Sequence, residues 1–498
     1  MTKTGTDHVF RKEQSGKRGL SRICVAFLAG AASVLGFSPF DFLPATLAAL
    51  AVLFHLWVGA PSPRAAFRAG FFFGLGMFVC GVSWVYVSMH RFGAMPAPLA
   101  AIATFGFCAF LALFPALAGW TQAKVRAPLA IPGLWVLFEW LRGAILTGFP
   151  WLALGYSAID SPLGGFAPLG GVYLMSLAVT TSAGLLWLVA IKQWRWPAAA
   201  CFVLIGAAGA ALKTLEWTMP AARSVRVSLL QGNVPQSMKF DPARYDRILA
   251  TYAGLAEQSR ARLIVLPETA VPRFLDSVEH SFIARLQAVA ARNGGDLLLG
   301  VPTRAGPGQY FNSVVSLGTS PPALYSKAHL VPFGEFVPPG FGWIVSVLSI
   351  PLADFSRGAP MPRPLAVAGE RVAVNICYED AYGAEIVRQL PEATLLVNVS
   401  NVAWFGDSFA PAQHLQIARM RALETGRMHL TATNTGITAA IGSDGTVLAQ
   451  LPQFAEGTLE IEARGRSGAT PYVFFVDGPA LALSALLFVF FALRGRSR

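Results

Sequence analysis

Long apolar runs cover most of the first 220 positions and return close to the carboxyl terminus. A helix needs about 20 mainly apolar residues to cross the hydrocarbon core of a bilayer. One such run could be a buried helix of a soluble protein, but seven in succession, with hardly a charge inside them, predict a multi-span helical membrane bundle. There are about eight runs: Ile23–Phe40, Leu43–Ala60, Ala66–Met89, Ala97–Trp120, Ala127–Leu146, Gly170–Ile191, Pro197–Leu212 and Val473–Leu493.

Basic residues are concentrated in every second loop between these runs, and the alternate loops are nearly bare, with Arg91 as the clear exception. Because positive loops stay in the cytoplasm, the pattern predicts that both termini are cytoplasmic. The segment between the seventh and eighth runs is then expected on the opposite, non-cytoplasmic side of the membrane. The small residues Ala29, Gly30 and Ala31 could mark a cleaved signal peptide. Loss of the first run would break the alternation, so an uncleaved anchor is favoured.

A different pattern begins near Arg223 and continues to about Gly468, where short β-rich runs alternate with helical stretches. Several strand-like runs, such as Leu263–Leu266, are continuously apolar, which is typical of a sheet covered on its faces by helices. We therefore predict an α/β domain or a layered α-β sandwich. The resulting division is a membrane domain with seven transmembrane helices over 1–220, an exported domain over 221–470, and an eighth transmembrane helix with a cytoplasmic tail over 471–498.

The composition agrees with this division once the charges are located. Hydrophobic residues make up 54% of the 498 positions, charged residues only 13%, and the formal net charge is +12. A basic, apolar chain could be a membrane protein or a nucleic-acid binder with a large core. Residues 1–220 and 471–498 together hold 18 basic and 7 acidic side chains, whereas residues 221–470 hold 21 and 20. The positive charge thus follows the predicted topology, and nucleic acid is not an expected partner.

Two charged residues inside the fifth run and a tryptophan just after it are candidates for a role in the membrane. Glu139 and Arg142 are three positions apart and share a helix face, so they could pair with each other or form a functional site. Trp151 follows at the predicted outer end of this helix. Tryptophan is common at the membrane interface, so an anchoring role is the simpler explanation and a role in substrate access the alternative.

Only one of the five cysteines, Cys377, lies in the predicted exported domain. It cannot form a disulfide within that domain, and no zinc-like Cys/His spacing surrounds it, so no metal or other cofactor is expected. It follows the apolar strand Val372–Ile376, and the carboxyl end of a buried strand is where an α/β domain presents reactive groups. An inert buried cysteine is the alternative.

A nucleophilic thiol needs a base and a group that stabilises the oxyanion. His329, His414 and His429 are available, but none follows a strand in a convincing pattern. Glu268 does follow a strand, and Lys327 lies in a similar setting. Each of these two could equally be part of a surface ion pair.

In their order along the chain, Glu268, Lys327 and Cys377 and the sequence motifs around them resemble those of the nitrilase superfamily, and within it those of the integral-membrane apolipoprotein N-acyltransferase family. The resemblance covers nearly the whole chain, spans included. Two positions depart from the usual family pattern: Phe240 replaces a tryptophan and Val402 replaces an aspartate. The motifs on which the resemblance rests are Gln231–Gln236, Pro267–Ala270, Lys327 with Val331–Glu335, Cys377–Glu379, Trp404–Ser408 and His414–Gln416.

The resemblance implies an α-β-β-α sandwich with a Glu268, Lys327 and Cys377 triad. It implies that Glu268 is the base, that Lys327 and a backbone N–H near Tyr378 stabilise the oxyanion, and that Cys377 carries a thioester. An ammonium beside the thiol is also expected to favour the thiolate. The supporting residues are Glu335, Tyr378 and Glu379, although Tyr378 and Glu379 could simply orient the cysteine loop. Candidate substrate-binding residues are Phe240, Trp404 and Trp151.

The implied reaction moves an acyl chain from the sn-1 position of a phospholipid, typically phosphatidylethanolamine, to the α-amino group of an S-diacylglyceryl cysteine on a bacterial apolipoprotein. The expected location is the bacterial inner membrane, with a periplasmic catalytic domain and a monomeric chain. Phe341–Leu352 is apolar but too short to span a bilayer, so it is expected to be a mobile lid at the interface, with a buried strand as the alternative. Rival functions are a membrane-tethered amidase of the nitrilase type and a non-catalytic transporter or binding protein.

Overall fold

The computed structural model describes residues 20–337 and 354–496, and apolar helices dominate its amino-terminal part. Within the described residues, five helical segments are long and apolar enough to cross a membrane, namely 63–82, 97–125, 128–147, 162–190 and 195–213, and three shorter apolar helices accompany them. The chain is therefore a membrane protein, while the number of helices that cross stays a prediction. The longer helices described in this part of the chain are α1 (Leu20–Gly36), α2 (Leu43–Val58), α3 (Pro63–Val82), α4 (Ala97–Val125), α5 (Ile131–Ala144), α6 (Ala167–Ala190) and α7 (Arg195–Lys213).

Helices α3 and α4 pack closely because small residues face each other where they cross. A Cβ atom on Gly70 would lie 2.4 Å from the carbonyl oxygen of Pro115, and one on Gly74 would lie 2.6 Å from the Pro115 Cγ. Both glycines are buried, and they lie one turn apart on the same face of α3. Lipid provides no hydrophobic drive between membrane helices, so their association depends on close packing. Small residues at this spacing permit that close approach.

The second part of the chain contains two six-stranded sheets. One has the strand order β13-β2-β3-β4-β5-β6 and the other β12-β11-β10-β9-β8-β7, while β1 and β14 form a separate pair. The strands are β1 (Thr218–Pro220), β2 (Val225–Gln231), β3 (Leu263–Val265), β4 (Asp296–Gly306), β5 (Gln309–Gly318), β6 (Leu324–Ser326), β7 (Leu365–Val367), β8 (Glu370–Ile376), β9 (Leu395–Ser400), β10 (His429–Thr433), β11 (Ala439–Ile441), β12 (Val447–Gln450), β13 (Gly457–Ala463) and β14 (Arg466–Gly468).

The two sheets pack face to face and helices cover their outer faces. Val265 of β3 and Val374 of β8 belong to one buried cluster between the sheets. Ile264 of β3 points the other way, into a cluster with the helices on its own side. The predicted α-β-β-α layering is thus confirmed, because the continuously apolar strands bury both faces. The helices here are α8 (Gln236–Lys239), α9 (Tyr245–Gln258), α10 (His280–Arg292), α11 (Gly383–Ile386) and α12 (Ala410–Thr425), followed by α13 (Pro471–Phe475) and α14 (Gly478–Arg496).

Strand direction brings the candidate chemistry to one edge of the sandwich. In one sheet β2, β3 and β4 run parallel, and in the other β8, β9 and β10 run parallel. The carboxyl ends of parallel strands lie at a common edge, where α/β folds bind their ligands. Glu268 follows β3 and Cys377 follows β8 at this edge.

Several boundaries differ from those predicted from periodicity. Helix α3 ends at Val82 instead of continuing to Met89, and a π-helical turn follows over Ser88–Phe92. The last apolar helix begins at Gly478, after the separate short helix α13. Hydropathy does not register such local breaks. The division into domains at 220 and 470 stays a prediction.

Glu139 and Arg142 do not pair with each other, as one interpretation of the sequence had it. The Glu139 Oε1 accepts hydrogen bonds from Trp135 Nε1 at 3.1 Å and from the Leu154 N–H at 2.9 Å. The Arg142 guanidinium donates to the carbonyl oxygens of Phe149 and Trp151 at 2.5 and 2.6 Å. Both side chains are buried, and each fixes the irregular chain that follows α5. Non-helical backbone at this depth needs such partners, which explains charges inside an apolar run.

A hydrogen bond to Glu424, which also pairs with Arg421 of its own helix, joins the membrane helices to the sandwich at a break in α6. Gly170 and Gly171 leave helical geometry there, and Gly171 has a φ of +65°. The Val172 N–H next to this break donates to Glu424 Oε1 of α12 at 2.8 Å. Arg421 Nη2 lies 3.0 Å from the same oxygen, and both charged side chains are at most 1% exposed.

We expect Glu424→Ala to destabilise the protein strongly. It leaves the Val172 N–H and the Arg421 guanidinium buried without their acceptor, and loss of one partner of a buried pair costs about 3–5 kcal/mol. The apparent melting temperature in detergent should fall by roughly 5–10 °C. Glu462→Ala, which removes an exposed pair with Arg226, is the matched control and should leave it nearly unchanged. Equal melting temperatures for the two variants would contradict this account of the junction.

Candidate active site

Glu268, Lys327 and Glu335 form a compact buried cluster at the carboxyl edge of the sandwich. The Lys327 Nζ lies 2.9 Å from Glu335 Oε1 and 3.5 Å from Glu268 Oε1. The Lys327 side chain is 1% exposed and that of Glu268 is 9% exposed. Lys327 directly follows β6, and its N–H continues the sheet by donating to the Asn312 carbonyl oxygen at 2.8 Å. The three residues that the sequence singled out separately are therefore neighbours.

Two asparagines that the sequence reasoning missed hold the carboxylates in place. The Asn312 Nδ2 donates to Glu268 Oε1 at 2.7 Å and to Glu335 Oε1 at 2.9 Å. The Asn401 N–H donates to Glu268 Oε2 at 2.8 Å. Asn401 follows β9, so its position at a strand end was the available signal, whereas Asn312 lies inside β5 and gave none.

Cys377 lies at a strained turn directly after β8. Its φ is +53°, which a non-glycine residue rarely adopts outside functional sites, and a 3₁₀ helix begins at this residue. Its carbonyl oxygen is 3.2 Å from Asn398 Nδ2 and 3.2 Å from His414 Nε2. The first N–H groups of a helix have no partner within it, so the Tyr378 N–H is available to an oxyanion by its place in the turn.

Electrostatics make Cys377 a protonated nucleophile that needs a base. Burial raises the pKa of the Cys377 thiol, and the Glu268 carboxylate raises it further, against the opposing effect of Lys327. The Lys327 ammonium favours the thiolate, as expected, but desolvation of the anion outweighs this effect, so the resting thiol is protonated. Burial alone would raise the pKa of Glu268, but Lys327, Lys239 and its hydrogen bonds hold that pKa below its usual value. A carboxylate that is ionised beside a protonated thiol can accept its proton.

Glu379 and the two nearby tyrosines, Tyr378 and Tyr382, orient the cysteine turn and connect it to the membrane helices. Glu379 accepts from the N–H groups of Ala328 and Ile376, both at 2.7 Å, and is 2% exposed. Tyr378 and Tyr382 donate to the Gly148 carbonyl oxygen, in the loop after α5, at 3.0 and 2.9 Å. Glu379 thus fixes the backbone on both sides of the site, at Ala328 and at Ile376, and the two tyrosines fix the cysteine turn against the membrane helices.

Trp151 is not at a membrane interface, which corrects its expected anchoring role. It is 3% exposed and its Nε1 donates to Gln413 Oε1 of α12 at 2.8 Å. Its ring stacks on Tyr378 at 6.4 Å and on His414 at 6.2 Å between centroids. Hydropathy cannot distinguish a tryptophan facing lipid headgroups from one buried between domains.

The other two candidate substrate-binding residues lie near this edge but outside the charged cluster. Trp404 is half-buried and its ring meets Phe92 of the membrane domain edge-on at 5.9 Å. Phe240 is half-buried at the end of α8. The expected lid, Phe341–Leu352, lies outside the described residues.

In the described residues, each of the three candidate histidines has a partner other than the Cys377 thiol. His414 contacts the Cys377 carbonyl oxygen, not the thiol. His429 Nε2 lies 3.0 Å from Asp380 Oδ1, and His329 Nδ1 lies 3.1 Å from Glu385 Oε1.

Comparison with known proteins places the chain in one family. Its residues 29–185 match the family described as apolipoprotein N-acyltransferase N-terminal domain, and residues 226–472 match carbon-nitrogen hydrolase. It is 50% identical to the apolipoprotein N-acyltransferase of Nitrosomonas europaea, over 94% of this chain and 96% of that one. For the Methylococcus capsulatus enzyme of the same name, the identity is 44% and the coverage 96% and 97%.

Comparison with solved structures gives matches over about half of the chain. The carbon-nitrogen hydrolase from Helicobacter pylori G27 is 19% identical over 55% of this chain and 94% of its own, with a TM-score of 0.37. The C. elegans NitFhit protein is 16% identical over 51% and 63%, with a TM-score of 0.40. On the strength of the full-length relatives and both family matches, the chain belongs to the apolipoprotein N-acyltransferase family.

Proposed function

We propose that this protein takes an acyl chain from the sn-1 position of a phospholipid onto Cys377 and transfers it to the α-amino group of an S-diacylglyceryl cysteine on bacterial apolipoproteins. N-acylation of apolipoproteins is the activity of its relatives over nearly the full length of the chain. The observation that carries the route is a half-buried thiol whose pKa is raised and which interacts electrostatically with the paired Glu268 carboxylate and Lys327 ammonium. These are the groups that acyl transfer through a thioester needs.

In the first half-reaction the Cys377 sulfur attacks the ester carbonyl while Glu268 accepts the thiol proton. The negative charge that develops on the carbonyl oxygen is stabilised by Lys327 and by the Tyr378 N–H. The ester C–O bond breaks, Glu268 returns the proton to the departing glycerol oxygen, and a lysophospholipid leaves. Cys377 then carries the acyl chain as a thioester.

In the second half-reaction the neutral α-amine of the diacylglyceryl cysteine attacks the thioester carbonyl. A C–N bond forms, the C–S bond breaks, and Glu268 passes the proton lost by the nitrogen to the departing sulfur. A thioester suits this step, because sulfur leaves readily when an amine attacks. Glu335 supports the chemistry by sharing the Lys327 ammonium and Asn312 with Glu268.

The arrangement fits substrates that carry acyl chains. The cysteine turn contacts the loop after α5 through Tyr378 and Tyr382, so the site adjoins the apolar helices. We infer that about eight helices cross the inner membrane, that both termini are cytoplasmic and that the sandwich is periplasmic. Phosphatidylethanolamine is the proposed donor, and Phe240 and Trp404 are the proposed acyl-chain contacts. A membrane-tethered amidase would use the same charged residues but does not require these contacts with the membrane helices.

The decisive experiment is intact mass spectrometry of the protein in nanodiscs. Phospholipid alone should add one acyl chain and release one equivalent of lysophospholipid. A diacylglyceryl peptide added next should discharge the adduct to an N-acyl peptide. Discharge to free fatty acid alone would favour a hydrolase, and absence of any adduct would contradict the thioester route.

A further inference from the structure

The active site contains a second buried ammonium, that of Lys239. Lys239 is the last residue of the one-turn helix α8 and is 2% exposed. Its Nζ donates to the backbone carbonyl oxygen of Glu268 at 3.0 Å. A lysine is almost never fully buried unless it is paired, so its place beside the candidate base calls for an explanation.

Helix α8 holds Glu268 from two sides. Gln236 and Lys239 are three positions apart and face inward, while Ser237 and Met238 between them are exposed. The Gln236 Oε1 accepts from Asn401 Nδ2 at 2.8 Å, and the Asn401 N–H in turn donates to the Glu268 carboxylate. One helical turn therefore fixes the carboxylate through Asn401 and the backbone through Lys239.

The backbone at this point needs such a restraint. Thr269, the residue after Glu268, has a φ of +48° in the left-handed region. A non-glycine residue there costs of order 1–3 kcal/mol and persists only when its surroundings hold it. The hydrogen bond from Lys239 to the Glu268 carbonyl oxygen fixes the peptide group that joins these two residues.

The charges around Glu268 show what a second ammonium adds. Lys327 is shared between two carboxylates and lies closer to Glu335 than to Glu268. One ammonium against these two carboxylates leaves a net negative site before the thiol loses its proton. Glu379 of the cysteine turn also acts on Lys327, but burial raises the pKa of Glu379. His414 also faces this site from α12, but burial lowers its pKa, so it adds no charge at neutral pH. Lys239 is a second ammonium whose charge lowers the pKa of Glu268. The charges of Glu268 and Cys377 in turn raise the pKa of Lys239.

We propose that Lys239 is a positioning residue for acyl transfer, which fixes the peptide group of Glu268 and keeps its carboxylate ionised so that it can accept the thiol proton. This inference rests on the proposed function, in which Glu268 is the base. Burial lowers the pKa of Lys239 to about 8, so the side chain still carries its charge at neutral pH. Removal of that charge favours the neutral form of a buried carboxyl group.

The test is the rate at which Cys377 is acylated by phospholipid in nanodiscs at pH 5.5 and at pH 7.5, measured by intact mass after quenching. In the wild type the two rates should agree within about twofold, because Glu268 is ionised at both pH values. In Lys239→Met the rate at pH 5.5 should be about tenfold lower than at pH 7.5, because loss of the ammonium raises the pKa of Glu268. Lys239→Arg keeps the charge and should restore the wild-type ratio.

Two further variants separate charge from folding and from hydrogen bonding. Lys213→Met is the matched control, since Lys213 also donates to a backbone carbonyl oxygen, that of Ile159 at 3.2 Å, but lies at the end of α7. It should keep the wild-type ratio. Lys239→Gln keeps a donor without a charge and should show the same loss at pH 5.5 as the methionine variant.

A wild-type ratio in Lys239→Gln would overturn the electrostatic role, even if the methionine variant failed to fold. An unchanged ratio in Lys239→Met, whatever its absolute rate, would do the same. Absence of an adduct on the wild-type protein is a different outcome. It would overturn the thioester route itself.

Discussion

Cys377→Ala is expected to form no acyl adduct with phospholipid and to lose N-acylation by roughly 10⁴-fold or more, because no other group takes over from a missing nucleophile. The measurement is intact mass after incubation with phospholipid in nanodiscs, followed by detection of N-acyl peptide. The variant keeps the other four cysteines, Cys24, Cys80, Cys108 and Cys201. It therefore tests whether the acyl chain resides on Cys377 specifically.

Cys201→Ala provides the matched control for this substitution. Cys201 is an exposed thiol on the apolar helix α7, outside the sandwich, and its removal should leave adduct formation unchanged. An adduct of one acyl chain on Cys377→Ala would show that another residue is acylated and would contradict the proposed route.

Glu268→Gln is expected to slow the acylation of Cys377 by about 10²–10⁴-fold, the usual contribution of a general base. Burial raises the pKa of the thiol, so the resting protein holds little thiolate and depends on proton transfer. Glutamine also places an amide where Asn312 and the Asn401 N–H both donate, so one of these bonds is lost. Stopped-reaction mass spectrometry of the adduct gives the rate directly.

The pH dependence of the wild type follows from the same charges. The pKa of Glu268 is held below its usual value, so the base is ionised at neutral pH, and acylation is lost only as the pH falls through that lowered value. Glu257→Gln removes an exposed carboxylate that pairs with Arg285 and should change neither the rate nor the profile. An acylation rate of Glu268→Gln within tenfold of the wild type would assign the base to another group.

Local sequence was sufficient for the general organisation of this protein. Apolar runs of helical length indicated a membrane bundle, and the strand patterns indicated a sheet covered by helices. Both could be recognised because the pattern of apolar residues is complete within a single helix or strand. Cys377, Glu268 and Lys327 were found because each follows or continues a strand, and the ends of parallel strands share an edge. The motifs around them also pointed to the family that the full-length relatives then showed.

Tertiary structure decided what depends on burial and on contacts between distant segments. It placed Trp151 between the domains, gave Glu139 and Arg142 backbone partners instead of each other, and brought Asn312 and Lys239 to Glu268. It also showed that burial raises the pKa of the Cys377 thiol by more than the nearby Lys327 ammonium lowers it. The amino-acid sequence by itself determined which groups stand at strand ends. Only the fold decided their charge states and partners, because desolvation and long-range hydrogen bonds have no local periodicity.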